Sequence, residues 1–155
     1  MQIIKYDEKY QKEIPELFTN TIHKTCNKDY TSEQLNAWAN LNIDYDVWEK
    51  RLAKSNPYLA IMDKKLVGFA EFYEDYIDCF YVHHEYQGCG VGEMLINHIF
   101  KIAKEQKQTL LKVDASITAK PFFEKFGFIE VKKNYVKRDN EELINFSMQR
   151  VEDEK

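Results

Sequence analysis

Gln87-Gly88-Cys89-Gly90-Val91-Gly92 holds three of the chain's five glycines at alternate positions. Glycine reaches φ > 0 without steric cost and lets a ligand approach the backbone closely. The segment lies between an apolar strand-like run and a helix-like run. Its N–H groups and the positive end of the following helix would therefore converge on one anion of pyrophosphate size. A tight strand-to-helix turn with no ligand would use the same glycines. Spacing argues against two other phosphate motifs. No Gly-Lys-Ser/Thr follows the loop, as a P-loop requires, and Gly-x-Gly-x-Gly after a run of strands does not open a dinucleotide-binding βαβ unit. The cysteines suggest no second chemistry: Cys26, Cys79 and Cys89 are odd in number, widely spaced and in no metal-ligand pattern, so they read as reduced thiols.

The elements that must position this loop follow from periodicity. Residues 2 to 7 read as a short strand, and residues 10 to 25 as a helix carrying Ile14, Leu17, Phe18 and Ile22 at helical spacing. Thr31 and Gln34 have capping-box spacing for a second helix with Leu35 and Trp38 on one face. A third helix is expected over 46 to 53. Strands at 57 to 63, 65 to 74 and 76 to 83 should form an antiparallel meander, the first two joined near Asp63-Lys64. After Gly92, Leu95, Ile99 and Ile102, flanked by Ile96, Phe100 and Ala103, make a wide apolar stripe on a helix of about four turns. Residues 110 to 115 read as a buried strand, and Ser116 or Thr118 can cap a short helix containing Pro121, with Gly127 as its stop. Strands at 128 to 138 and 143 to 149 follow, with 139 to 142 as their turn. In this order, the strand before the glycine loop and the strand after its helix run parallel through a right-handed crossover.

Length and composition set the outer bounds. The 155 residues favour one domain, and 44% hydrophobic residues, with ten Phe, ten Tyr and two Trp, suffice for a sizeable core. The 22 basic residues against 26 acidic ones give a charge of −4, which argues against the broad electrostatic footprint of a nucleic-acid binder. No apolar run approaches the roughly 20 residues that cross a bilayer, and the N-terminus lacks a signal-peptide core. A cytoplasmic protein with neither a nucleic-acid nor a membrane partner is expected.

Gln87, Gly90 and Gly92 match the fixed positions of Gln/Arg-x-x-Gly-x-Gly/Ala, the signature of the GNAT superfamily of N-acetyltransferases. The preceding Tyr81-Val82-His83-His84-Glu85-Tyr86 resembles that family's strand end and entry loop. A second block, 116 to 128, resembles its short helix and Gly-Phe exit, and 142 to 148 is similar to its last strand. The resemblance covers residues 2 to 150. It implies one acetyltransferase domain over 1–155, of mixed α/β class. A central, mostly antiparallel sheet of about seven strands would be flanked by helices and open into a V between the strands ending near Val82 and Ala115.

The resemblance also implies roles. Acetyl-CoA would lie in the V as cosubstrate, with no metal. Main-chain groups of Phe80, Tyr81 and Val82 would hold the pantetheine and polarise the thioester carbonyl. Gln87, Gly88, Cys89, Gly90, Val91 and Gly92 would cradle the pyrophosphate. Many members have basic residues at 87 to 89, but this chain has none there and adds Glu93, so binding leans on backbone dipoles. Ser116 replaces a frequent Asn and would either fix the cofactor arm or cap the helix. Phe123 stands where the family often has the Tyr that protonates the departing thiolate. Water or the hydroxyl of Tyr135, Tyr73 or Tyr81 would have to serve instead.

An amine of pKa about 10 must lose a proton before it attacks a thioester. Asp78 leads as the base because simple alternation puts it on one strand face with Phe80 and Val82. Glu71 follows, then His83 and His84, and a solvated or paired Asp78 remains an alternative. Tyr30, Trp38, Tyr45 and Trp48 lie where the family builds its acceptor pocket, with Tyr73 and His83 beside it, although Trp38 and Trp48 would equally suit a core. His98 reads as facing solvent or a neighbouring strand, and His23 as a polar surface residue or one facing the acceptor cleft. Cys89 would be an exposed thiol, and direct attack needs no acyl-enzyme. The resulting expectation is an N-acetyltransferase acting on a small-molecule or peptide primary amine in a ternary complex. A CoA-binding regulatory module is its alternative, and an exposed last strand would allow homodimer formation.

Overall fold

The computed structural model describes residues 1–152. Seven strands form one sheet in the order β1-β2-β3-β4-β5-β7-β6: β1 Gln2–Lys5, β2 Tyr58–Met62, β3 Lys65–Tyr73, β4 Tyr76–Val82, β5 Leu110–Ser116, β6 Ile129–Arg138 and β7 Glu141–Val151. Three helices precede β2: α1 Glu13–Thr25, α2 Ser32–Trp38 and α3 Tyr45–Ser55. The others are α4 Val91–Glu105 and α5 Lys120–Lys125. All neighbours pair antiparallel except β4 and β5, which are parallel.

Local chemistry explains most boundaries. Thr31 accepts from the Gln34 N–H while the Gln34 side chain accepts from the Thr31 N–H, so the capping box forms. Asp63 and Lys64 both have φ > 0 (50° and 65°), as a two-residue hairpin requires, and Asp139 and Asn140 repeat this at the β6–β7 turn. The expected four-residue turn is thus two residues long, and β7 extends further at both ends. The expected first helix begins only at Glu13, after a single 3-10 turn over Glu8–Tyr10.

The two sheet faces bury different helices. Leu95, Ile96, Ile99 and Ala103 of α4 join Val67, Ile77, Leu111, Val113 and Met148 in one core. Ile14 and Leu17 of α1 and Leu52 of α3 join Leu59, Ile61, Leu66 and Phe69 in another. Strand β3 lies between them and is buried from Leu66 to Phe72, which suits its apolar run.

One expectation about the sheet fails. The last strand is not exposed, because β7 pairs with β5 on one side and β6 on the other, and β6 is the free edge. The tight Asp139-Asn140 turn lets β7 fold back inside β6, where Met148 and Leu143 become buried.

Candidate functional site

The site begins where β4 and β5 part. They pair only at Tyr76↔Lys112 and Ile77↔Val113, yet β4 continues to Val82 and β5 to Ser116, leaving a V between them. A cleft of about 450 Å³ runs through it. Phe80, Ser116, Ala119 and Phe123 line one part; Phe18, Tyr30, Trp38, Tyr76, Asp78, Asp114, Val136, Arg138 and Leu143 line the other.

The open edge of β4 carries unpaired main-chain groups. His83 N–H donates to Val67 O at 2.8 Å. This makes Val82–Gly68 a non-hydrogen-bonded pair and Tyr81–Phe69 a hydrogen-bonded one. Phe80 and Val82 therefore present N–H and C=O groups to the V, whereas Tyr81 turns its own towards β3. The strand register thus removes Tyr81 from the expected trio of main-chain donors. Val82 O already accepts from Thr21 Oγ1 at 3.3 Å and Gln87 Nε2 at 2.8 Å.

Beyond Val82 the chain enters the glycine loop. Gly88 and Gly90 have φ of +74° and +84°, and a Cβ on either would meet nothing within 4 Å. These glycines are required by backbone conformation and not by packing. Gly90 is the N-cap of α4 and offers no side-chain cap, so the first N–H groups of this 15-residue helix face outward with its positive dipole end. Gly92 differs: a Cβ there would lie 2.9 Å from Phe122 Cε1. The loop can hold a pyrophosphate-sized anion on main-chain donors, while the Gln87 amide is turned back to β4. Cys89 is exposed in this loop.

A β-bulge at the mouth of the V alters the expected arrangement of the acids. Between Ala70↔Phe80 and Phe72↔Ile77, Asp78 and Cys79 of β4 face the single residue Glu71 of β3. Alternation breaks there. Ile77, Phe80 and Val82 all pack with the α4 core, and Cys79 and Tyr81 with the other. Asp78 therefore does not share a face with Phe80 and Val82, because the extra residue turns it towards Arg51, which also reaches Cys79 Sγ at 3.1 Å.

Arg51 of α3 organises this corner. It grips Glu71 through Nε (3.2 and 3.0 Å) and Nη2 (2.5 Å), and Glu71 is 1% exposed. Burial alone would raise the Glu71 pKa, but Arg51 and Ser55 hold it below the ordinary glutamate value. Glu71 is thus a sealed ion-pair partner with little proton affinity. Asp78 lies 3.4 Å from Arg51 Nη2 and accepts from Tyr73 Oη at 3.4 Å, with 39% of its side chain exposed. Burial, aided by the charges of Glu71 and Asp114, raises its pKa against the opposing pull of Arg51. Glu71, Asp78 and Cys79 stand close enough to suggest a metal site, but the Arg51 guanidinium already lies among their ligand atoms.

The aromatic candidates separate. Tyr30 and Trp38 line the cleft and meet edge to face at 5.4 Å. Tyr30 Oη donates to Ile144 O at 2.5 Å and accepts from Ile117 N–H at 2.9 Å, and burial pushes its pKa up to about 12. Trp48 packs on Phe18 and Phe69 beneath Arg51, and Tyr45 is exposed and bonded to Glu16. The core alternative holds for Trp48. Tyr135 is 59% exposed and lies with Lys132 and Lys133 in an adjoining outer groove that shares Asp114, Val136 and Asn145 with the cleft; Tyr135 itself does not line the cleft. The β6 register directs Val136, not its neighbour Tyr135, inward. His83 stacks on His84 at 4.5 Å and accepts from the Glu85 N–H; His23 bonds Ala39 O, and His98 packs on Tyr58. Ser116 Oγ accepts from Ala119 N–H at 3.0 Å, the turn-forming role, while its residue lines the cleft. Phe123 is 2% exposed among Phe80, Phe122 and Phe128.

Three residues escaped the sequence reading: Arg51 of α3, and the pair Tyr76 and Asp114. Tyr76 Oη donates to Asp114 Oδ2 at 3.0 Å, and Asp114 Oδ1 accepts from Ser147 Oγ at 2.8 Å. Both Tyr76 and Asp114 line the cleft. The only signal was their place in strands beside the crossover, which many residues share.

Comparison with known proteins agrees with this architecture. Residues 26–149 match the Acetyltransferase (GNAT) domain. The chain is 37% identical over 148 residues to the uncharacterized N-acetyltransferase YafP of Escherichia coli (strain K12), covering 96% of this chain and 94% of that protein. A GCN5-related N-acetyltransferase crystal structure from Rhodopseudomonas palustris superposes with a TM-score of 0.91 at 32% identity, over 97% of this chain and 94% of that one. The fold is also that of the PaiA N-acetyltransferase from Thermoplasma acidophilum in complex with coenzyme A (TM-score 0.71, 18% identity, 97% and 98% covered). No helix among the described residues is long and apolar enough to cross a membrane. The chain belongs to the GNAT family of N-acetyltransferases and is an acyltransferase.

Proposed function

We propose that the chain transfers an acetyl group from acetyl-CoA to a primary amine of a small molecule or peptide, by direct attack in a ternary complex. The observation that carries this reading is the continuous track formed by the open β4 edge, the positive-φ loop and the uncapped start of α4. Pantetheine would pair with the main chain of Phe80 and Val82, and the pyrophosphate would rest on the N–H groups from Gly88 to Gly92. That leaves the thioester near the mouth of the V, where Phe80 or Val82 N–H can polarise its carbonyl.

Asp78 is the base in this reading. Its raised pKa gives it more proton affinity than an ordinary carboxylate, and it faces the aromatic end of the cleft, where the amine would enter. Glu71 acts through Arg51, as a positioning residue. Tyr30 and Trp38 form a wall for the rest of the acceptor. The proton for the thiolate comes from water in this reading: Phe123 has none to give, Tyr135 is not a cleft residue, Tyr73 already donates to Asp78, and Tyr81 packs against Phe18 and Phe69, where burial raises its pKa.

Acetyl-CoA mixed with a panel of primary amines should release free CoA thiol only with intact protein. Calorimetry should show CoA binding in the absence of any amine. Phe123, sealed among aromatic rings, favours a second reading, a CoA-binding regulatory module; binding of CoA with no amine-dependent thiol release would establish that alternative.

A further inference from the structure

Asp78 and Asp114 follow immediately after Ile77 and Val113, the last paired residues of β4 and β5. They therefore stand at one level on the two strands where the V begins. Arg51 supplies one positive charge to this corner, and it already faces Glu71 and Asp78, so one guanidinium stands against three carboxylates, of which it contacts two and not Asp114. Arg138, the other basic residue lining the cleft, is paired in register with Glu141, whereas Asp114 is level with Ser147. Six residues of β7 separate those levels, about 20 Å of strand. Among the residues lining the cleft, the end at the base is thus net negative; Lys132, level with Ser147 on β6, lies in the adjoining groove that Asp114 also borders.

Tyr76 completes this end. Its hydroxyl gives its proton to Asp114, whose other oxygen is held by Ser147 Oγ, itself hydrogen-bonded by Asn134 Nδ2 at 2.8 Å. The rotamer of Asp114 is thereby fixed from the β6–β7 side. A phenol donating to a carboxylate has an electron-rich oxygen, and burial together with Asp114 raises the Tyr76 pKa. Such a group is a poor acid for a thiolate and a good acceptor for an N–H.

We propose that Tyr76, oriented by Asp114, is a further acceptor-binding residue, taking one N–H of the amine opposite Asp78, and that this pair makes the site select amines with no carboxylate beside the nitrogen. The inference rests on the acetyltransfer reading for its location only. An α-carboxylate would be brought close to Asp78 and Asp114, with Arg51 already engaged by Glu71 and Asp78 and with neither Lys132 nor Lys133 among the residues lining the cleft. A neutral or hydrophobic substituent would instead lie against Phe18, Tyr30, Trp38 and Tyr81. Tyr76 is a binding residue in this scheme and Asp114 a positioning residue.

The test uses tyramine, tyrosinamide and tyrosine, which share one ring and differ in the α-substituent. Their binding to CoA-saturated protein is measured by calorimetry, with no turnover required. Tyramine and tyrosinamide should bind about tenfold or more tighter than tyrosine, the scale of one hydrogen bond to a charged group. Tyr76→Phe should weaken all three alike by about tenfold, and Asp114→Asn should weaken tyramine by about tenfold and shrink the preference over tyrosine, while CoA affinity, which reports the fold, stays unchanged. A merely structural Asp114 would not alter that ratio. Tyrosine binding as well as tyramine, no binding by any of the three, an Asp114→Asn variant that retains the full preference, or a Tyr76→Phe variant that binds tyramine as wild type does would each overturn the inference. Selective amine binding without thiol release from acetyl-CoA would overturn the acetyltransfer reading and leave this inference standing.

Discussion

Replacing Gly90 by Ala separates the binding role of the loop from its folding role. Gly90 has φ +84°, a conformation that costs an L-residue about 1–2 kcal/mol. Its new Cβ would meet nothing within 4 Å, so backbone strain is the whole stability cost in the free protein. For a chain of this size each kcal/mol corresponds to about 2–4 °C, giving an expected fall in melting temperature of about 2–8 °C. The methyl group projects where main-chain donors would receive the pyrophosphate. CoA at one hundred times its Kd would stabilise wild type by about 2.7 kcal/mol, and the variant should lose most of that gain. Thermal unfolding with and without CoA reads both numbers. Gly92→Ala is the contrast, because its Cβ would press on the Phe122 ring and destabilise the free protein through packing. A folded Gly90→Ala protein that keeps the full CoA-dependent rise would refute the anion assignment. An unchanged melting temperature in the free variant would refute the strain argument.

Asp78→Asn should lower turnover at pH 7 by the roughly 10²–10⁴ of a positioned base, with partial recovery at higher pH as solution supplies neutral amine. In wild type, the raised Asp78 pKa should put the acid limb of kcat/KM above the ordinary aspartate range; a limb at or below that range counts against Asp78. Glu71→Gln leaves Arg51 without its buried partner and should cost about 1–3 kcal/mol, less than a fully buried pair because Arg51 is 40% exposed. Since the folded pKa of Glu71 is lowered, the stabilisation is complete above the unfolded pKa and is lost as pH falls through the folded one. Wild-type and variant unfolding curves should therefore converge in acid; a constant gap would show that the pair's charge is not responsible. Phe123→Tyr should raise turnover below pH 8 by offering the thiolate a proton from the cleft wall, whereas Tyr135→Phe should be silent. Rate profiles showing the opposite pattern would move the acid to the outer groove.

The parts legible in the sequence are those fixed by short-range chemistry. Gly88 and Gly90 announce their loop because the backbone there needs φ > 0, and Thr31 with Gln34 announces a helix start because both hydrogen bonds span three residues. The Asp78 arrangement was illegible because Tyr76-Ile77-Asp78-Cys79-Phe80 reads as plain alternation, and the extra residue shows only against β3. Arg51 is one basic residue on a helix until β3 brings Glu71 beside it, 20 positions later. Tyr76 and Asp114 meet through the single parallel pairing of the sheet, 38 residues apart. The place of β7 inside β6 was equally hidden, since a hairpin of two strands carries no mark of which one docks inward.

The bulge in β4 makes reading frame, more than residue identity, the constraint on this strand. It divides a seven-residue strand into two short ladders of opposite phase: Ile77 belongs to one, and Cys79 to Val82 belong to the other. Variation at Tyr76 alters one group and can retune the acceptor. Deleting one residue between Ile77 and Phe80 would bring the ladders back into phase and invert one of them. The acid corner would then lose its place relative to the pantetheine edge in a single event. Variant libraries seeking new acceptors can therefore vary Tyr76, provided the length of the strand is held fixed.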